Sequence, residues 1–253
     1  GRNATGGAIL VTTRAPSKTW TGKLEASYAS FNEKTFNGYL SGPISDRIRF
    51  SIAGYSRTGD GYLKKISSTT LLPTGEPAAP PKSQSVRFKL EADLSDNLTA
   101  QLGYNYSLVD NPSTLTFTPF QYIAAALPAS SLPATRNPDW KAYNGAGSKY
   151  LDFVQEGTLT ITQHTGIGTL KSYSNYARKY IKGAYDTDGS FRDLTQTSTK
   201  TGTDVYQSTL DFTINAIKNL DLVVGATYYY DSRDTFPSYQ LSNGVVSTRN
   251  YNL

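Results

Sequence analysis

The chain has 253 residues, with 21 glycines, 12 prolines, 19 tyrosines and 10 phenylalanines, a composition that suits many short strands joined by turns better than helices. It has no cysteine, which excludes disulfide staples and thiolate metal sites, and its net charge of +5 comes from lysines and arginines interspersed with acids, unlike the basic block of a nucleic-acid-binding protein. No window approaches the roughly eighteen consecutive apolar residues of a spanning helix, and mean hydropathy is −0.44; spanning strands escape that test, because only alternate residues face lipid.

The chain opens with Gly1-Arg2-Asn3, without methionine or a charged-then-apolar leader, and reads as an internal segment of a longer protein. A short apolar strand is expected over Ile9–Thr13, ended by Pro16, which removes a hydrogen-bond donor. Gly6-Gly7 before it permits positive φ or a close backbone approach. Strands then follow at about 20–30, 35–45, 47–57, 84–95, 98–109, 150–163, 167–180, 204–217 and 219–232.

Several of these alternate strictly between apolar and polar residues, the period-two signature of a ribbon with two unlike faces. Val86, Phe88, Leu90, Ala92 and Leu94 share one face, and Arg87, Lys89, Glu91 and Asp93 share the other. Four consecutive charges on one side cannot line a dry core and call for water there. After Asp96-Asn97 the stripe continues through Leu98, Ala100, Leu102, Tyr104, Tyr106 and Leu108. The same hairpin recurs when Tyr206, Ser208, Leu210, Phe212 and Ile214 lead through Lys218-Asn219 into Leu220, Leu222, Val224, Ala226, Tyr228 and Tyr230.

The connections alternate in length. Short ones occur at Ser45-Asp46, Asp96-Asn97, Thr165-Gly166 and Lys218-Asn219; long ones run from about 58 to 83, 110 to 149 and 181 to 203, with only the connection near Asn32-Glu33 short at that end. Long loops gathered at one end and brief turns at the other are the pattern of an outer-membrane barrel. Trp20, Tyr28, Tyr104, Tyr106, Tyr228 and Tyr230 occur toward strand ends, either as interfacial girdles or as ordinary cross-strand packing.

Signals for other chemistry do not assemble. His164 is the single histidine, at an expected turn, so neither a zinc site nor a Ser-His-Asp triad can be built around it. In Asp186-Thr187-Asp188-Gly189-Ser190 the glycine comes too early for a calcium loop and no glutamate follows at the bidentate position. Neither Thr58-Gly59-Asp60-Gly61 nor Asn144-Gly145-Ala146-Gly147-Ser148-Lys149 meets the phosphate-loop pattern. The reading is of a protein that is not an enzyme and needs no cofactor or metal.

The opening string Gly1-Arg2-Asn3-Ala4-Thr5-Gly6-Gly7-Ala8-Ile9-Leu10-Val11-Thr12-Thr13-Arg14-Ala15-Pro16 resembles the segment that closes the plug domain of TonB-dependent receptors. Asn3, Thr5, Gly6, Gly7, Ile9 and Pro16 carry the match, and Ser41-Gly42-Pro43-Ile44-Ser45-Asp46-Arg47-Ile48-Arg49-Phe50, followed by Asp60-Gly61-Tyr62, is similar to that family's second strand, periplasmic turn and third strand. The resemblance implies an all-β chain: the end of a plug over 1–16, then over 17–253 the first part of an antiparallel transmembrane β-barrel, about nine strands of about 22. It further implies location in the bacterial outer membrane, contact with its lipid, a small solute ligand, and energy from a periplasm-spanning TonB-type partner that engages a region outside this chain.

The function expected is energy-coupled uptake of a scarce solute, a ferric siderophore-type chelate or an oligosaccharide. Two alternatives stay open at this point: a passive or structural barrel such as a porin or adhesin, and a secreted glycan-binding β-sandwich whose apolar stripes meet in a dry core. For the solute, the 110–149 connection offers Arg136, Asn137, Trp140 and Tyr143 as candidates, beside Phe117, Phe120 and Tyr122; the competing role is packing of the long loop against itself.

Overall fold

The computed structural model describes residues 12–62, 64–66, 73–77, 80–110, 141–143, 149–186, 195–217, 220–235, 238–242 and 245–249. Along the chain the strands are β1 (Thr21–Ala29), β2 (Glu33–Ser45), β3 (Ile48–Thr58), β4 (Lys64–Ile66), β5 (Pro73–Pro77), β6 (Lys82–Ser95), β7 (Leu98–Asp110) and β8 (Lys141–Tyr143). They continue as β9 (Lys149–Thr165), β10 (Gly168–Asp186), β11 (Thr195–Ile217), β12 (Leu220–Thr235), β13 (Ser238–Ser242) and β14 (Val245–Arg249).

One 11-stranded sheet holds all the long strands, each antiparallel to its sequence neighbour among them, in the order β1-β2-β3-β6-β7-β9-β10-β11 with β12 next to β11. The β13 strand pairs with the upper end of β11, beyond the last β12 pair at Thr201↔Thr235, so β12 and β13 form one interrupted strand, and β14 turns back on β13. Up-and-down pairing of this kind needs only a hairpin between strands. At three of the tight turns the register shifts just before the reversal, between Pro43 and Ser45, Asp93 and Ser95, and Ile214 and Ile217. The first irregularity accommodates Pro43, which cannot donate to a regular ladder inside a sheet.

The nine long strands fall where hydrophobic alternation places them. The expected 181–203 connection does not: β10 runs on to Asp186 and β11 begins at Thr195, paired up to Asp186↔Gln196. Threonine- and lysine-rich ribbon there, Thr195-Gln196-Thr197-Ser198-Thr199-Lys200-Thr201, carries no apolar stripe, yet β-branched residues suit a strand whose two faces are both wet. The other two long connections are not structureless either. The β4, β5 and β8 strands form a separate three-stranded sheet in which β4 and β8 run parallel, so the connections near 64–77 and 141–143 meet each other. Of the expected Ile9–Thr13 strand, Thr12 and Thr13 have no strand pairing, and its other residues lie outside the described ones.

At the loop end of β1 and β2, Phe31 and Asn32 turn through left-handed backbone, with φ of 63° and 55°. The turn is held from the side: the Asp60 amide donates to the Phe31 carbonyl at 2.9 Å, and the Tyr62 ring meets that of Phe31 edge-on at 6.4 Å. Gly61 between them has φ of 72°, a conformation that glycine adopts without steric cost.

Candidate functional site: a polar wall holding the incoming segment

Register sorts the side chains of the sheet into two faces. One carries Trp20, Leu24, Phe36, Leu40, Phe50, Ile52, Val86, Leu90, Leu102, Tyr104, Leu159, Ile161, Leu210, Leu222 and Tyr228; the other carries Lys23, Glu25, Asn37, Arg49, Lys89, Glu91, Gln101, Glu156, Asn175 and Thr209. The apolar face is bare among the described residues: Leu24 is 71% exposed, Leu102 49% and Val224 58%. A water-soluble sandwich buries such a face against a second layer, and among the described residues none covers it.

Aromatic residues bracket the apolar face. Exposed Trp20, just before β1, and Tyr28, near its far end, stand at opposite ends of the stripe, about 26 Å apart along the chain. They also pack across strands: Trp20 meets Phe50 edge-on at 5.8 Å, Tyr106 meets Phe153 at 5.5 Å, and Tyr206 lies 6.0 Å from Tyr228. Of the two roles expected of these rings, cross-strand packing is the one these pairs display. Gly42 leaves room for Trp20, since a Cβ there would fall 2.6 Å from the indole.

On the polar face the four charges of β6 are disposed of one by one. Arg49 of β3, 7% exposed, reaches across the strand boundary to both acids, placing Nη2 2.7 Å from Glu91 Oε1 and Nη1 2.7 Å from Asp93 Oδ2. Gln101 Nε2 donates to Glu91 Oε2 at 2.7 Å and Thr99 Oγ1 to Asp93 Oδ1 at 3.1 Å. The expectation that these charges need water is thereby revised: a forked guanidinium and two neutral donors on the neighbouring strands satisfy much of their hydrogen-bonding demand.

Lys89, two residues above Glu91 on the same face, binds protein backbone. Its Nζ donates to the carbonyls of Thr13 at 3.1 Å and Arg14 at 3.2 Å. Beside it Ser41 is fully buried; its Oγ accepts the Ser17 amide hydrogen at 2.8 Å and donates to the Phe50 carbonyl at 2.8 Å. Pro16 is buried between these two attachments in sequence. Residues 13–17 are thus strapped to the polar wall just before the chain enters β1, and neither Lys89 nor Ser41 stands out in the sequence as a strap residue.

Among the described residues, Arg87, the fourth charge, has no hydrogen bond or ion pair. It lines a shallow cleft of about 260 Å³ with Lys23, Glu25, Asn37, Tyr39, Tyr55, Ser85 and Asn105. Within it Lys23 Nζ and Glu25 Oε1 are 2.7 Å apart. The cleft offers a cation, amides and two phenols, groups suited to orienting a polar solute or a polar protein surface. Farther along the wall Glu156 accepts a short hydrogen bond from Asn175, and Lys179 pairs with Asp152 at 3.2 Å.

Of the residues expected to carry function, Pro16 is placed as above, while Asn3, Thr5, Gly6, Gly7 and Ile9 lie outside the described residues. Arg136, Asn137 and Trp140 also lie outside them, and Tyr143 is in β8, its backbone in register with Ile66 of β4. His164 is the next-to-last residue of β9, its Nδ1 3.1 Å from Thr169 Oγ1, a turn-side contact. The 187–190 part of the calcium-like string and 144–148 of the glycine-rich string are likewise outside. No cluster of three or more metal-ligating side chains occurs among the described residues.

A bare apolar face, an opposed polar wall, and residues 13–17 held against that wall make a two-faced antiparallel strip. Comparison with solved structures finds this fold elsewhere. The siderophore receptor PiuA from Acinetobacter baumannii superposes with a TM-score of 0.64 at 14% identity, over 94% of this chain and 34% of that one. The FpvAI–pyocin S2 complex gives 0.64 at 12% identity, covering 94% and 29%, and P. aeruginosa FpvA bound to heterologous pyoverdines gives 0.63 at 12%, covering 94% and 30%. The fold is that of part of a TonB-dependent receptor barrel. No protein-family pattern and no curated protein sequence matches the chain. The chain spans about a third of the length of these TonB-dependent receptors, which are transport receptors and not enzymes.

Proposed function

We propose that the chain is part of an energy-coupled receptor of the bacterial outer membrane, with residues 1–16 ending a plug and 17–253 forming the first part of its barrel. The observation that carries this reading is the attachment of residues 13–17 to the wall opposite the bare apolar face, through Lys89 and Ser41. A strand leaving the interior of a barrel must meet its wall on that side, which favours a barrel with a plug in its lumen over an open one.

Sheet edges add support. Among the described residues the first strand, β1, pairs with β2 alone, and a free edge would leave backbone N–H and C=O groups unsatisfied in hydrocarbon, which supports closure of the barrel by further strands of a longer chain. The solute taken up is a siderophore-type ferric chelate or an oligosaccharide, and a periplasm-spanning TonB-type protein supplies the energy through a region outside this chain. Arg136, Asn137, Trp140 and Tyr143 are proposed as solute contacts on the loop side.

The test is accumulation of radiolabelled ferric catecholates, ferric hydroxamates and labelled oligosaccharides by cells producing the complete receptor, with and without the energising inner-membrane complex. Binding in both strains and accumulation only in the energised one is the expected result. Accumulation independent of energy would return the protein to the passive class.

A further inference from the structure

Arg87 stands where an anion is wanted, and the described residues supply none. Glu91 and Asp93, on its own face of β6, are held by Arg49, and the acid lining the cleft, Glu25, has Lys23 Nζ 2.7 Å away. The next side chain on that face of β6, Lys89, is a second cation. Residues 1–12, which precede the strap, contain no aspartate or glutamate. A guanidinium does not lose its proton in a protein, so the missing counter-charge has to arrive on another molecule or another part of the receptor.

Register builds the cleft around a small residue. Tyr39 of β2, Ala53 of β3 and Arg87 of β6 are successive partners on the polar face, so phenol and guanidinium flank Ala53 from strands about 10 Å apart. Asn105 extends that row on β7, and Asn37 lies in the next row toward the loops. Among the described residues, the side chains of Asn37, Tyr39 and Asn105 have no hydrogen bond. The cleft sits two residues to the loop side of Lys89, and no strap residue lines it. Its volume of about 260 Å³ is below that of a site enclosing a whole drug-sized molecule and suits one ring-sized group.

The groups present call for a ligand that is both an anion and a hydrogen-bond donor. Arg87 only donates, and a carboxylate can take two parallel bonds from it; ionised Glu25 only accepts, so whatever meets it must bring O–H or N–H. The amides of Asn37 and Asn105 serve either role. The iron-bound oxygens of a ferric catecholate or hydroxamate are deprotonated and can only accept, and a highly charged tris-catecholate would meet a single unpaired cation. A ring with one carboxylate and several free hydroxyls fits both demands, and that is an acidic sugar.

We infer that this cleft is a subsite for a uronate-type sugar residue of the solute. Arg87 takes the carboxylate, Asn37, Asn105 and Glu25 take hydroxyls, and the Tyr39 ring packs against the sugar face. The inference rests on the uptake reading given under Proposed function and narrows its solute to an acidic oligosaccharide.

The experiment titrates the complete receptor, purified in detergent, by calorimetry. The probes are trimers of galacturonate, glucuronate and mannuronate, each beside its carboxyl-reduced trimer, and a ferric tris-catecholate. The expected result is that at least one uronate trimer binds about tenfold or more tighter than its reduced form. Arg87→Gln should erase that preference without changing binding of the reduced trimer, and Arg87→Lys should keep part of it. Each variant is first checked for a folded, heat-modifiable barrel. No preference for any uronate, tighter binding of the ferric catecholate, or a wild-type preference in Arg87→Gln would overturn the inference. Energised accumulation of a ferric chelate without uronate binding removes only this subsite, whereas uronate binding with accumulation that ignores the energising complex removes the uptake reading and leaves the subsite standing.

Discussion

Ser17 and Ser41 are joined across the entrance to the sheet: the Ser17 amide donates to a Ser41 hydroxyl that is itself fully buried and committed to the Phe50 carbonyl. A buried hydroxyl with one donor and one acceptor already supplied has no conformational choice left, so the bond fixes where the leading segment meets the wall. Ser41→Ala in the complete receptor strands the Ser17 N–H and should cost about 1–3 kcal/mol locally. The measurement is limited proteolysis: cleavage near residues 12–18 should accelerate while the barrel stays folded. Unchanged cleavage would show that the strap does not depend on this hydroxyl.

Lys89 tests the same attachment by charge. Lys89→Met removes both donors to the Thr13 and Arg14 carbonyls without shortening the side chain much. If residues 1–16 end a plug, as proposed, the expected outcome is greater susceptibility of cells to a large glycopeptide antibiotic, with Lys89→Arg restoring exclusion because a guanidinium can still donate to two carbonyls. Equal susceptibility in all three strains would mean the strap is dispensable for sealing.

Arg49 holds two carboxylates with one fork, at a side-chain exposure of 8%. Arg49→Met leaves Glu91 and Asp93 facing each other without their cation, and the barrel should lose about 2–3 kcal/mol, read as a lower urea midpoint for unfolding from vesicles. The further change Glu91→Gln in that background should recover part of the loss by removing one of the stranded charges. A double variant no more stable than the single one would argue that the ion pairs are not what Arg49 contributes.

The path from sequence to structure was clearest where two unlike solvents act on alternate residues. Leu98 through Leu108 and Val86 through Leu94 announce both their strands and their faces, because a one-residue slip would carry every apolar side chain to the wet side. The ends of β10 and β11 were not legible, since Thr197, Thr199 and Thr201 show no contrast once both faces leave the apolar band. The strap was hidden for another reason. Nothing local marks Lys89 or Ser41 as a backbone anchor; their partners lie 76 and 24 positions away, and only pairing of β2, β3 and β6 brings them together.

Two faces of one sheet also predict opposite responses to the same substitution. Leu102 stands mid-strand on β7, 49% exposed on the apolar side, whereas Thr160 on β9, in register with Gln101, faces the polar wall. Leu102→Arg places a guanidinium near the bilayer midplane, where it should cost about 2–4 kcal/mol, and Thr160→Arg, on a lumen position, should cost far less. Comparing the fraction of each variant recovered as folded barrel in outer-membrane preparations decides the matter. Equal loss from both, or a greater loss from Thr160→Arg, would mean that the exposed Leu, Val and Phe stripe does not face acyl chains, and the assignment of inside and outside made from the register would have to be reversed.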